Sequence, residues 1–195
     1  MIKLSTPISE EQIRQLKVGN VCTITGIIVT ARDAGHKLMV EERPDFLDEY
    51  LKEGIIYHCG PVVRNDNGIW SFVSAGPTTS IREEPYQAKV FELYKVRGVI
   101  GKGGMGAKTL EGCIKLGAVY LHAVGGTGTL LAKSVKEVLT VFKLEEFGTP
   151  EAFWVCRVED FPVIVTMDSH GSSIHADVKK TSQKVYNQIL DELSK

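Results

Sequence analysis

Hydrophobic and polar positions along the chain fall into blocks whose period changes several times. Ser9 followed by Gln12 forms a capping box, with Ile8 and Ile13 at the positions of a hydrophobic staple. A short helix is predicted there, from about residue 10 to Leu16 or Lys17, with Gly19 ending it. Residues 21–30 (VCTITGIIVT) are β-branched and read as a buried strand, with Arg32 and Asp33 just past its end. A helical stretch then breaks at Pro44, the expected first residue of a second helix that places Phe46, Leu47, Tyr50 and Leu51 on one face before Gly54. Strands are predicted at 55–58 and 69–75, and the turn RNDNG between them suggests an antiparallel pairing or a wide hairpin.

From residue 87 the rhythm changes. QAKVFELYKV, RGVI, a helix through Cys113 and Leu116, and AVYLHAV alternate as helix and short apolar strand, the signature of βαβ units around a parallel sheet. After Pro150, AFWVCRVEDFPVIVTMD reads as two strand-like runs divided by Asp160 and Pro162. Ile174, Val178, Val185, Ile189 and Leu193 then form the stripe of an amphipathic closing helix. The expectation is an α/β chain whose parallel sheet comes mainly from the second half, with antiparallel strands supplied earlier. No repeat or linker divides residues 1–195, so one domain is expected.

Composition narrows the function classes. Of 195 residues, 43% are hydrophobic and 24% charged, enough for a core without disulfides or structural metal. The 23 Lys+Arg and 24 Asp+Glu are interleaved and leave a net charge of −1, which excludes a strong global field for nucleic acid or an anionic membrane. Any bound anion must therefore be met locally. The first residues reach charge quickly, and no apolar run approaches the roughly 18 residues of a membrane span, so a cytoplasmic location is expected. Cys22, Cys59, Cys113 and Cys156 show no CxxC pairing and are expected to be reduced and buried, with no metal or cluster held by this chain.

Three strand-end segments suit a small carboxylate. GKGGMG (101–106) stands between a strand and a helix, where glycines open the backbone to an anion and Lys102 adds a full charge. Gly101, Gly103 and Gly106 also satisfy G-x-G-x-x-G, but the next strand ends in His122-Ala-Val-Gly-Gly without the acid that a dinucleotide ribose needs. GPTTSIR (76–82) presents Thr78, Thr79 and Ser80 from a stiff turn, with Arg82 behind them. Its bland alternative is a Ser80–Glu83 capping box. Arg32 is the third candidate. His58 and Cys59, adjacent on a strand, point to opposite faces and do not form a dyad, while Asp168, His170 and His175 read as a loop and a helix start. The chain lacks a convincing general base or electrophile of its own.

In this order, TARDAGH, HCGPVV, GPTTSIR, GKGGMG and VEDFPVIVTMDSHG resemble the beta subunit, or C-terminal half, of class I iron–sulfur fumarate hydratases and the related L-tartrate dehydratases. The resemblance covers about residues 20 to 175. It implies a swivelling β/β/α domain, a parallel sheet stacked on an antiparallel one and covered by helices. It also implies a separate alpha subunit that carries the [4Fe-4S] cluster, and no cofactor on this chain. Carried over residue by residue, Arg32, Thr79, Arg82 and Lys102 would bind substrate carboxylates, and Thr78 would move the proton at carbon with help from an aspartate of the alpha chain. The implied reaction is reversible hydration of fumarate to L-malate in an α2β2 assembly, with L-tartrate dehydration as the alternative. Two other readings compete: a dinucleotide-binding enzyme, and a non-catalytic partner that only orders another subunit.

Overall fold

The computed structural model describes residues 1–193. In chain order the elements are β1 (Ile2–Ser5), α1 (Glu10–Arg14), β2 (Val21–Thr30), α2 (Asp33–Glu41), α3 (Asp48–Leu51), β3 (Ile55–Tyr57), β4 (Val62–Asp66), β5 (Ile69–Ser74) and α4 (Gln87–Tyr94). There follow β6 (Gly98–Gly101), α5 (Ala107–Leu116), β7 (Val119–His122), α6 (Gly128–Ala132), β8 (Val135–Phe142), α7 (Leu144–Phe147), β9 (Phe153–Met167) and α8 (Ile174–Leu193). Short 3-10 turns at Asp45–Leu47 and Ser80–Glu83 complete the path.

The fold is mixed α/β. Seven strands share one sheet in the order β1-β2-β3-β6-β7-β9-β8, and β4 and β5 form a separate hairpin. Strands β1, β2, β3, β6 and β7 are mutually parallel, and β9 runs against β7, β8 and β2. Because β9 pairs with both β7 and β2, the path β2–β3–β6–β7–β9 returns to β2 and closes a ring of five strands.

The strands read as continuous apolar runs because both faces are covered. Successive residues feed opposite cores. Ile28, Tyr57, Leu121 and Trp154 enter the cluster under α1 and the hairpin, while Val29, Ile56, Tyr120 and Phe153 enter the cluster shared with α2, α4 and α5.

Several expectations need adjustment. Three of the parallel strands come from the first half, and β8 and β9 supply antiparallel pairing late in the chain. β1 was missed because it buries Leu4 alone, so no hydrophobic run marks it. The two runs around Asp160 and Pro162 are one strand, β9, with Pro162 paired opposite Thr23 and the Asp160 N–H donating to Thr25 Oγ1 at 3.1 Å. β5 does pair antiparallel, but with β4, whereas β3 joins the parallel set. Pro44 caps the 3-10 turn and does not open the helix itself. The capping box at Ser9 and Gln12 is present, although α1 stops at Arg14. α8 forms as expected, yet buries none of its described residues.

The topology fixes where chemistry can gather. Parallel strands point their C-terminal ends the same way, so Arg32 beyond β2, His58 beyond β3, Lys102 beyond β6 and His122 at the end of β7 share one rim of the sheet.

Candidate functional site

Segment 76–82 reaches this rim from β5 and is sewn onto it by backbone hydrogen bonds. The Thr78 N–H donates to the His58 carbonyl at 2.7 Å, the Lys102 N–H to the Thr78 carbonyl at 3.2 Å, and the Ser80 N–H to the Lys102 carbonyl at 3.0 Å. Gly76-Pro77 turns the chain into this path, and Thr79 lies in bridge register with Lys102. Thr78 and Lys102 are half-buried, and Thr79 and Arg82 are exposed.

The cations differ in their partners. Arg82 Nη2 donates to Thr78 Oγ1 at 3.1 Å and lies 3.3 Å from the Asp33 carboxylate. Arg32 Nε lies 3.3 Å from Glu151, whose other oxygen accepts the Ala34 N–H at 3.0 Å. The Arg32 guanidinium packs over Gly60, where a Cβ would stand 2.5 Å from Nη1. Lys102 has no ion-pair partner among the described residues. Thr78, Thr79, Arg82 and Lys102 thus form one directly linked group, and Arg32 stands on the neighbouring strand end.

The glycine loop behaves differently. Its helix, α5, presents backbone N–H groups, but the protein's own carboxylate already occupies them. Glu84 accepts from the N–H groups of Gly106 (2.7 Å), Lys108 (2.9 Å) and Thr109 (3.2 Å), and from Thr109 Oγ1 (2.6 Å). A Cβ on Gly106 would lie 2.6 Å from Glu84, and one on Gly101 only 1.8 Å from Ser80 Oγ. Two glycines of the G-x-G-x-x-G match therefore admit side chains of this chain, and Glu84 takes the Gly106, Lys108 and Thr109 amides that a pyrophosphate at this helix start would need.

The Fumarase C-terminus family profile matches residues 1–178. The chain belongs to the Fumarase C-terminus family. A putative fumarate hydratase class I of Geobacillus stearothermophilus is 52% identical over 193 residues, covering 98% of this chain but 37% of that protein. The L(+)-tartrate dehydratase subunit beta of Escherichia coli K12 is 41% identical over 192 residues, covering 97% of this chain and 94% of that subunit. A putative L(+)-tartrate dehydratase subunit beta of Methanocaldococcus jannaschii is 40% identical over 186 residues, covering 94% and 95%. This member of the family thus spans about a third of the Geobacillus protein and nearly the whole of both beta subunits.

Beneath the rim of this Fumarase C-terminus chain lies a polar cluster that local sequence reading missed. His36, His58, Ser80, Glu83 and Gln87 are all fully buried. Burial pushes both imidazoles below their ordinary range, His58 the further of the two, with His36 beside it adding to the shift. Burial, with Asp33 nearby, raises the Glu83 carboxyl to about 8. Ser80 does not cap the 3-10 turn, because its hydroxyl faces His58 and Tyr120 instead.

The remaining candidates are structural. The Asp168 carboxylate accepts N–H groups from Val18 (2.9 Å), His170 (3.0 Å) and Ser172 (3.0 Å), and His175 Nε2 lies 2.9 Å from Thr166 Oγ1. The four cysteines are free and separately buried, and burial raises the thiol of each, Cys59 to about 12. Among the described residues no group of three or more His, Cys, Asp or Glu could hold a metal ion, so this chain's donors do not fit an iron–sulfur cluster. No helix among them is long and apolar enough to cross a membrane.

Proposed function

We propose that this chain is the beta-subunit half of a hydro-lyase that reversibly hydrates fumarate to L-malate, working as one swivelling β/β/α domain against an alpha subunit in a cytoplasmic α2β2 assembly. One observation carries the reading. The Thr78 hydroxyl is held by the Arg82 guanidinium on a rim that also presents Arg32 and Lys102, the latter with no ion-pair partner among the described residues. One cation on the hydroxyl and two more on the same rim suit a dicarboxylate whose carbon must gain or lose a proton beside a carboxylate.

In this reading Arg32, Thr79, Arg82 and Lys102 bind the carboxylates. Thr78 gives its proton to carbon during hydration and takes one from carbon during dehydration. A threonine hydroxyl is a weak base, and the Arg82 hydrogen bond stabilises its charged form. An aspartate of the alpha subunit completes the proton transfer. The [4Fe-4S] cluster belongs to the alpha subunit, where it would supply Lewis-acid chemistry at the substrate hydroxyl. This chain alone holds half a site.

L-tartrate is the second substrate reading, because the relatives of matching length are named tartrate dehydratase beta subunits, whereas the more similar fumarate hydratase is a much longer protein. The test is an anaerobic assay of the chain alone and with a cluster-bearing alpha subunit, offering fumarate and L-tartrate in parallel. Turnover of fumarate by the mixture only is the expected result. Exclusive turnover of tartrate would move the assignment to the second reading, and turnover by the isolated chain would overturn the half-site account.

A further inference from the structure

The rim residues stand on three separate segments, the end of β2, the 76–82 segment and the end of β6, and a buried polar chain joins all three. A neutral His36 on α2 donates from Nδ1 to the Arg32 carbonyl at 2.9 Å, so its Nε2, 3.0 Å from the end of the Gln87 amide, accepts from that amide. The same end of the amide lies 3.1 Å from His58 Nε2, and His58 Nδ1 lies 2.9 Å from Ser80 Oγ. The Tyr120 hydroxyl donates to Ser80 Oγ at 2.9 Å and closes the chain against β7. The two imidazoles meet edge to face, with centroids 4.9 Å apart.

One end of this chain grips the Arg32 backbone, and the main chain of its members His58 and Ser80 holds the other two rim residues. The Arg32 carbonyl is held by both the His36 ring and the His36 N–H, the Thr78 N–H by the His58 carbonyl, and the Lys102 carbonyl by the Ser80 N–H. Gly101 has no side chain where Ser80 Oγ must pass, so β6 leaves room for the arrangement. Apolar residues of equal volume would fill this space without fixing an angle. Hydrogen-bonded groups fix distance and direction together, and in a buried site they break only at the cost of an unsatisfied polar group.

We propose that His36, Gln87, His58 and Ser80 act as one positioning chain that sets Arg32, Thr78 and Lys102 relative to one another for the reaction. They are positioning residues, since all four side chains are fully buried. The proposal rests on the reading of that rim as the substrate site.

The test uses Gln87→Met, which keeps shape and removes the bridge, and Ser80→Ala, which deletes one oxygen and adds no bulk. In the complex with its alpha subunit, each variant should lower kcat by about ten- to a hundredfold, the scale of a misplacement near 1 Å. The double variant should fall no further than the worse single one, because both cut the same chain. In the isolated full chain, each variant should speed hydrogen exchange of the Thr78 amide by about tenfold while the Trp154 amide in β9 stays protected. Unchanged kcat and unchanged Thr78 exchange in either folded variant would overturn the proposal, and so would losses that multiply in the double variant. A wild-type complex inactive on fumarate and on L-tartrate would defeat the reading of function. Thr78 exchange needs no substrate, so it would still decide whether the chain holds the rim.

Discussion

Two loops on the same rim look equally suited to an anion, yet they are built in opposite ways. The glycine loop 101–106 leads into a helix start whose N–H groups face Glu84, so the charge it attracts is internal and permanent. The 76–82 segment keeps the Thr78 hydroxyl and the Arg82 guanidinium at the surface, next to Lys102 with no ion-pair partner among the described residues. A helix start or a glycine cluster is an anion site only where the fold does not supply the anion itself. In the proposed reading the start of α5 is architecture, whereas the 76–82 segment together with Lys102 is the substrate site.

The largest effect expected from breaking this contrast is at Arg82. Its pair with Asp33 is half-exposed and worth at most about 1 kcal/mol to folding. In a closed complex, losing a carboxylate partner costs about 2–5 kcal/mol of binding. Arg82→Ala should therefore melt like wild type in the isolated chain and lose most turnover in the complex.

Glu84→Ala should do the reverse. It strips the acceptor from three backbone N–H groups and one hydroxyl, and should cost about 2–3 kcal/mol in urea unfolding of the chain alone.

Gly101→Ala acts where the two loops meet. Its new Cβ would stand 1.8 Å from Ser80 Oγ, so Ser80 must move, at about 1–3 kcal/mol of stability by the same unfolding measurement.

A separate test is a pH dependence at Glu83. Its carboxyl titrates near 4.5 when unfolded and at about 8 when folded, raised first by burial and then by Asp33. The folded state therefore holds the proton more tightly, and the stability that Glu83 contributes is complete below about 4.5 and lost as pH rises to about 8. The melting temperature of wild type relative to Glu83→Gln should fall across that window and level off above it. A flat difference would show that Glu83 does not titrate in the fold.

Much of this architecture was legible locally. The Ser9–Gln12 box, the β2 run and the helix–strand rhythm after residue 87 are contacts between near neighbours, which sequence periodicity records. The four linked rim candidates Thr78, Thr79, Arg82 and Lys102 were also visible, because turn chemistry and strand ends mark them. What escaped is long-range. Ring closure through β9 depends on pairing across more than a hundred residues, as with Val29 opposite Val155. Glu84 meets the start of α5 22 to 25 positions away, and Gln87 reaches His36 and His58 across 51 and 29 positions. No local pattern announces a buried glutamine with two histidines, since its partners come together only when three segments reach the rim.

The central claim is that the 76–82 segment and Lys102 beside it serve a ligand while the Glu84-filled start of α5 serves the fold, and Lys102 tests it most directly because no carboxylate among the described residues pairs with it. Turnover of Lys102→Ala in the cluster-bearing complex, measured beside the thermal melt of the isolated variant, is the decisive experiment. The account predicts an unchanged melting temperature and turnover reduced by at least about thirtyfold, the lower end of a lost buried carboxylate contact. Wild-type turnover with an unchanged melt would contradict it.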